Sequence, residues 1–157
     1  MKVIKPGQRS KRERGSVVIE AALVLPLLLL ITAGIIDLGM LYWHQSVLTN
    51  ATREGARAAS RATVAGNAEM TVTQVRTIVS GYLTANNIQT YLTPGSNFFY
   101  TWNTATTPPN ITVRLINIPV NMMLLPNIQA IYNTGTIDQT VNLTAQTNMA
   151  AEWITSP

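Results

Sequence analysis

Apolar and polar positions divide this chain into segments of different kinds. Val17 to Ile36 (VVIEAALVLPLLLLITAGII) is an apolar run whose one charged residue is Glu20. A helix of about 20 such residues spans a hydrocarbon core of about 30 Å, and membrane helices tolerate a proline such as Pro26. Asp37 marks the far end, and Tyr42 and Trp43 follow as aromatics placed for a membrane interface. No proline after Pro26 interrupts the helical reading before about Ala62. One helix is therefore predicted from Ser16 to about residue 62, about 70 Å long at 1.5 Å per residue.

Gly66-Asn67 reads as a break. Val72, Val75, Ile78, Val79 and Leu83 then repeat at helical spacing within about Glu69 to Leu83, and Asn86-Asn87 ends that helix. Thr93-Pro-Gly-Ser is a turn signal, after which the pattern changes to β. Asn97 to Trp102 carries aromatics suited to a strand. Ile111, Val113 and Leu115 alternate with Thr112 and Arg114. Val141, Leu143 and Ala145 alternate with polar neighbours. Pro108-Pro109 separates the first two strands. Pro119 and Pro126 flank the stretch Val120 to Leu125, whose Met122-Met123-Leu124-Leu125 is read as core in preference to a contact patch. The expected fold class is α+β: a long N-terminal transmembrane and stem helix packed on a small C-terminal domain with one further helix and a mainly antiparallel sheet. The expected boundaries are a leader at 1–15, a transmembrane helix at 16–41, a helical stem at 42–65 and an exported α+β domain at 66–157.

Charge sharpens this division. The net charge of +4 is not spread along the chain, because six of the 11 lysines and arginines (Lys2, Lys5, Arg9, Lys11, Arg12, Arg14) precede Gly15, with only Glu13 against them. After Gly15, five arginines face six acids, a net of −1. Basicity thus belongs to the leader and does not describe a nucleic-acid-binding surface. A positive leader stays cytoplasmic and directs the C-terminal part across the membrane. Cysteine is absent and His44 is the single histidine, which excludes disulfides, thiolate nucleophiles and multi-histidine metal sites. The chain has no nucleophile motif, phosphate loop or metal-ligand cluster. The expectation is a non-enzyme with no cofactor, and an interfacial His44.

A carboxylate inside a membrane segment is costly and marks a functional position by default, which singles out Glu20. The plain alternatives are a secretory signal peptide or an uncleaved signal anchor. The first is disfavoured by a run longer than the usual hydrophobic region of about 7–15 residues, although a small-residue site, Ala56-Arg57-Ala58, lies downstream. Further on, Arg53, Arg57 and Arg61 recur every four residues and share one helix face. They form a solvated stripe or a stem contact face. Ala51, Gly55, Ala58, Ala59 and Ala62 give a small-residue face permitting close helix contact.

Three motifs carry a family resemblance over roughly residues 12–62. Gly15-Ser-Val-Val-Ile-Glu20 resembles a prepilin peptidase site. The longer stretch Arg14-Gly-Ser-Val-Val-Ile-Glu-Ala-Ala-Leu-Val-Leu-Pro-Leu-Leu resembles the N-terminus of TadE-like pseudopilins of the tight-adherence (Tad/Flp) pilus system. Gly34-Ile-Ile-Asp37-Leu-Gly39 resembles that family's exit from the membrane. Asn50-Ala-Thr-Arg53-Glu54-Gly55-Ala56-Arg57-Ala58-Ala59 resembles its Ala-Arg-Glu-Gly-Ala-Arg-Ala helix. There are departures. Ala21 replaces the aromatic usual in filament-type prepilins, so the chain is less like the short major pilin. Asp37, Leu38 and Met40 replace a more usual glutamate, phenylalanine and arginine.

The resemblance implies cleavage after Gly15, with Ser16 as the new N-terminus and Glu20 setting register against a neighbouring subunit's terminal amine. Asp37 and Gly39 become the membrane exit. The implied partners are a prepilin peptidase, other pilin subunits, the inner membrane and the Tad assembly platform, with no nucleic acid. The implied location is the inner membrane, single-pass, N-terminus cytoplasmic, and then the extracellular pilus. An uncleaved, signal-anchored exported binding domain is the alternative.

Overall fold

The computed structural model describes residues 9–61, 69–106, 108–126 and 139–151, with side chains described from Gly15 onward. The order of elements is α1 (Arg9–Arg61), α2 (Val72–Ala85), β1 (Phe98–Asn103), β2 (Asn110–Asn121) and β3 (Thr140–Ala150). The long apolar helix, one further helix and the three-stranded antiparallel sheet make the fold α+β, as expected. The expected break at Gly66-Asn67 lies outside the described residues. The chain forms two compact units: Met1–Leu38 with Met123–Ile137, and Gly39–Met122 with Asp138–Pro157.

In the first unit α1 starts at Arg9, earlier than the predicted Ser16. Arginine, lysine and glutamate are good helix formers, and nothing in Arg9–Arg14 opposes helix as a proline would. The apolar run lies open along this helix: Leu23 is 74% exposed and Ile19 66%. A soluble protein buries such a helix in its core. Of residues 15–38, only Ala33 and Asp37 are buried, one turn apart on one face.

In the second unit α2 is closed at both ends by its own sequence. The Thr71 hydroxyl accepts from the Gln74 N–H at 3.3 Å, and the Gln74 side chain accepts from the Thr71 N–H at 2.9 Å, a reciprocal capping box. At the other end Asn87 takes a left-handed φ of 58°. The Ile88 N–H then reaches the Leu83 carbonyl at 2.9 Å and the Asn87 N–H the Thr84 carbonyl at 3.0 Å, a Schellman ending. Val75, Val79 and Leu83 form its buried face.

The sheet order is β1-β2-β3. Phe98 pairs with Leu115 and Asn103 with Asn110, while β3 runs against β2 from Asn110↔Ala150 to Asn121↔Thr140. β2 is longer than its alternation predicts because it contains a bulge between Leu115 and Ile118, where Asn117 has φ 53°. The extra residue shifts the period-2 pattern by one. Ile111, Val113 and Leu115 are buried before it, and Ile118 and Val120 return to the same face after it. Pro119 is accommodated because β1 pairs with β2 only as far as Leu115, so β2 is an edge strand at that point. The core of this unit joins Val47, Leu48, Ala51, Ala56 and Ala59 of α1, the buried face of α2, and Phe98, Ile111, Val113, Leu115, Ile118 and Ala145 of the sheet.

Tyr100 packs against this core with its hydroxyl buried and without a hydrogen-bond partner among the described residues. Burial, reinforced by the charge of Glu69, pushes that hydroxyl up to about 12. The unfolded chain loses the same proton at about pH 10. The folded state therefore binds more protons than the unfolded one between about pH 10 and 12, and stability falls with rising pH across that window. Tyr100→Phe is expected to raise stability by about 1 kcal/mol, because it removes an unpaired buried hydroxyl. It should also flatten this alkaline decline. Denaturation midpoints measured from pH 8 to 12 check both; a less stable variant that retains the decline would contradict them.

Candidate assembly and membrane-exit sites

Gly15, Ser16 and Glu20 lie on the first half of α1 and are all exposed. No atom lies within 4 Å of where a Cβ on Gly15 would stand. The backbone at Gly15-Ser16 is helical, so a protease that binds an extended chain has to unwind it. Glycine lowers that barrier by about 1 kcal/mol relative to alanine. Glu20 has no hydrogen bond or ion pair among the described residues of its own chain. Further along the span, Thr32 is satisfied internally, its hydroxyl donating to the Leu28 carbonyl at 2.8 Å.

Asp37 is the opposite case. Its side chain is 1% exposed. One carboxylate oxygen accepts from the N–H groups of Met123 (3.2 Å) and Leu124 (3.1 Å), the other from Leu124 (3.1 Å) and Leu125 (2.7 Å). Charge-assisted bonds of this kind are roughly twice as strong as neutral ones. Leu125 packs beside the same helix turn, its Cδ2 lying 4.0 Å from where a Cβ on Gly34 would stand. The sequence marked Asp37 as the end of the span but did not reveal this partner, 86 to 88 residues away. The available signal was an unmatched carboxylate together with a proline-bounded apolar segment lacking strand alternation. Met122 to Leu125 is not the buried core expected from its composition: Met123 is 65% exposed, and Met122, Leu124 and Leu125 are half-buried.

Asp37→Ala removes the acceptor from three backbone donors, at about 1–3 kcal/mol for each one left buried and unpaired. Residues 123–126 are expected to detach from the helix, which amide exchange at Met123, Leu124 and Leu125 would detect as loss of protection. Unchanged protection would contradict the clamp.

In the second unit the stem segment of α1 uses small residues to admit its neighbours. Gly55 is buried, and a Cβ there would stand 2.6 Å from Val79 Cγ2 and 3.4 Å from Val75 Cγ1. Ala51, Ala56 and Ala59 are buried nearby, and Ala58 is half-buried. Arg53, Arg57 and Arg61 are exposed, on a different face from the buried residues. The stem is tied to β3 by two polar contacts: Gln45 Nε2 donates to the Thr144 carbonyl at 2.9 Å, and the Thr52 and Thr147 hydroxyls meet at 2.8 Å. Gly39 is exposed. His44 Nδ1 donates to the Met40 carbonyl at 2.8 Å, and its ring meets Trp43 edge-on at 4.8 Å. No group of three or more His, Asp or Glu among the described residues could hold a metal ion.

Gly15, Ser16, Glu20, Asp37, Gly39, Arg53, Gly55 and Arg57 fall within one matched stretch. Residues 15–57 match the family model described as TadE-like protein. The N-terminal segment of this chain is TadE-like. A search of curated proteins and a search of solved structures found no match. The TadE-like segment opens at Gly15, holds the exposed apolar span, Glu20 and Asp37, and closes two residues past Gly55. Its one long apolar helix has the length and composition to cross a membrane.

Proposed function

We propose that this chain is a non-enzymatic minor pilin, or pseudopilin, of a Tad-type pilus. In this reading the basic leader stays in the cytoplasm and the span sits in the inner membrane. The second unit is exported, and a prepilin peptidase cuts between Gly15 and Ser16. The observation that carries the reading is the coincidence of a TadE-like segment with an exposed apolar span that holds an exposed carboxylate, Glu20, with no hydrogen bond or ion pair among the described residues.

An unpaired carboxylate in a low-dielectric setting is unfavourable, and the new amine of a neighbouring subunit would answer it. Charges attract more strongly there than in water, and a subunit docked out of register leaves both groups unpaired. The pair therefore sets axial position as well as affinity. The Tad assembly platform would be the site of insertion, and adhesion the use of the finished pilus. The test is deletion of the chain from its host. Sheared surface pili are expected to be lost and to return with the wild-type copy; unchanged piliation would contradict the proposal.

A further inference from the structure

Two features of the first unit are each unfavourable alone in a bilayer. A carboxylate stands at the end of the apolar span, and a stretch of non-strand backbone, Met123–Leu125, is bound to the same helix turn. In hydrocarbon every backbone N–H must find an acceptor, and an intramembrane acid must find donors. Here each supplies the other's requirement, since Asp37 takes all three N–H groups in four bonds.

Depth follows from the helix. Val17 to Ile36 covers about 30 Å at 1.5 Å per residue, so Asp37 stands at the outer boundary of the hydrocarbon. In the clamped segment Met123 is 65% exposed, and on the adjoining helix Ile35 and Leu38 are 66% and 65% exposed. We infer that Met123–Leu125 is a second membrane contact, an apolar tab pinned by Asp37 into the outer interface of the bilayer beside the span. The inference rests on the membrane reading of α1 given above. The occupant of this surface is lipid because the surface is continuous with the lipid-facing side of the span and holds its backbone groups satisfied. Such a tab fixes the depth and rotation of the helix before assembly, as interfacial anchors do.

The absence of cysteine in the chain makes the test direct. The full chain, carrying a single environment-sensitive fluorophore at Met123→Cys, is reconstituted in phosphatidylethanolamine–phosphatidylglycerol vesicles containing lipids spin-labelled near the headgroup. Labels at Leu28→Cys, Leu38→Cys and Thr106→Cys serve as span, boundary and exported-loop references. The Met123 label is expected to emit blue-shifted and to be quenched as strongly as the Leu38 label, with the Thr106 label water-like. Adding Asp37→Ala should return the Met123 label to water-like emission and leave Leu28 in lipid.

A water-like Met123 label beside a lipid-embedded Leu28 label overturns the tab and spares the span. A Leu28 label outside lipid overturns the membrane reading itself. A Met123 label that is blue-shifted yet unquenched by the spin-labelled lipid at every dilution also overturns the tab, because it makes this surface a contact with protein and not with lipid.

Discussion

Glu20→Ala is expected to leave the leader cleavable and to lower incorporation into surface pili by at least about tenfold. A buried ion pair broken by removing one partner loses about 3–5 kcal/mol, and about 1.4 kcal/mol is tenfold in an equilibrium, so a single lost register contact suffices for that effect. The charge is required and not merely the side chain's volume, so Glu20→Gln should behave like the alanine variant, and Glu20→Asp should recover part of the loss. The measurement is the amount of variant in sheared pili against the amount processed in the membrane. Wild-type incorporation of Glu20→Ala would show that the carboxylate only faces headgroups or solvent.

The second large effect is at Gly55. A substitution of glycine within an exposed helix normally gains stability, about 1 kcal/mol for alanine. Here a Cβ would stand 2.6 Å from Val79 Cγ2, and Val79 is itself fully buried. Val79 is β-branched and stiff at χ1, so it gives way only by moving α2 or leaving its rotamer. Overpacking of this kind costs about 1–3 kcal/mol and sometimes more. Gly55→Ala is therefore expected to destabilise the second unit by about 1–2 kcal/mol, and Gly55→Val by about 3 kcal/mol or more, read from denaturant unfolding in detergent. Val79→Ala should relieve part of the Gly55→Ala defect, a coupling that a double-mutant cycle isolates. A gain of stability in Gly55→Ala would mean that the two helices do not approach as closely as their side chains indicate.

The sequence showed what is local and hid what depends on a distant partner. The apolar run and the carboxylate of Glu20 within it are contiguous, so they are legible without a fold. The periodicity of α2 and the alternation at Ile111–Leu115 and Val141–Ala145 gave those elements for the same reason. α1 begins before Ser16 because charge marks a leader but does not stop a helix. β2 runs past Leu115 because a bulge at Ile116-Asn117 inverts the alternation, so the pattern looks broken where the strand only changes parity. Gly55 was readable as part of a small-residue face, but not which helix it admits. Asp37 was readable as a boundary, but its three donors come from a segment whose composition alone reads as core.

Processing after Gly15 is read from the N-terminal residue and intact mass of the membrane-associated chain, made with and without a co-expressed prepilin peptidase. A new N-terminus at Ser16, with the corresponding loss of the 1–15 leader mass, is expected only when the peptidase is present. An intact leader in both preparations would contradict the pilin pathway and make the chain a signal-anchored domain. A cut near Ala58 would make it a secreted protein and remove Glu20 from the mature chain.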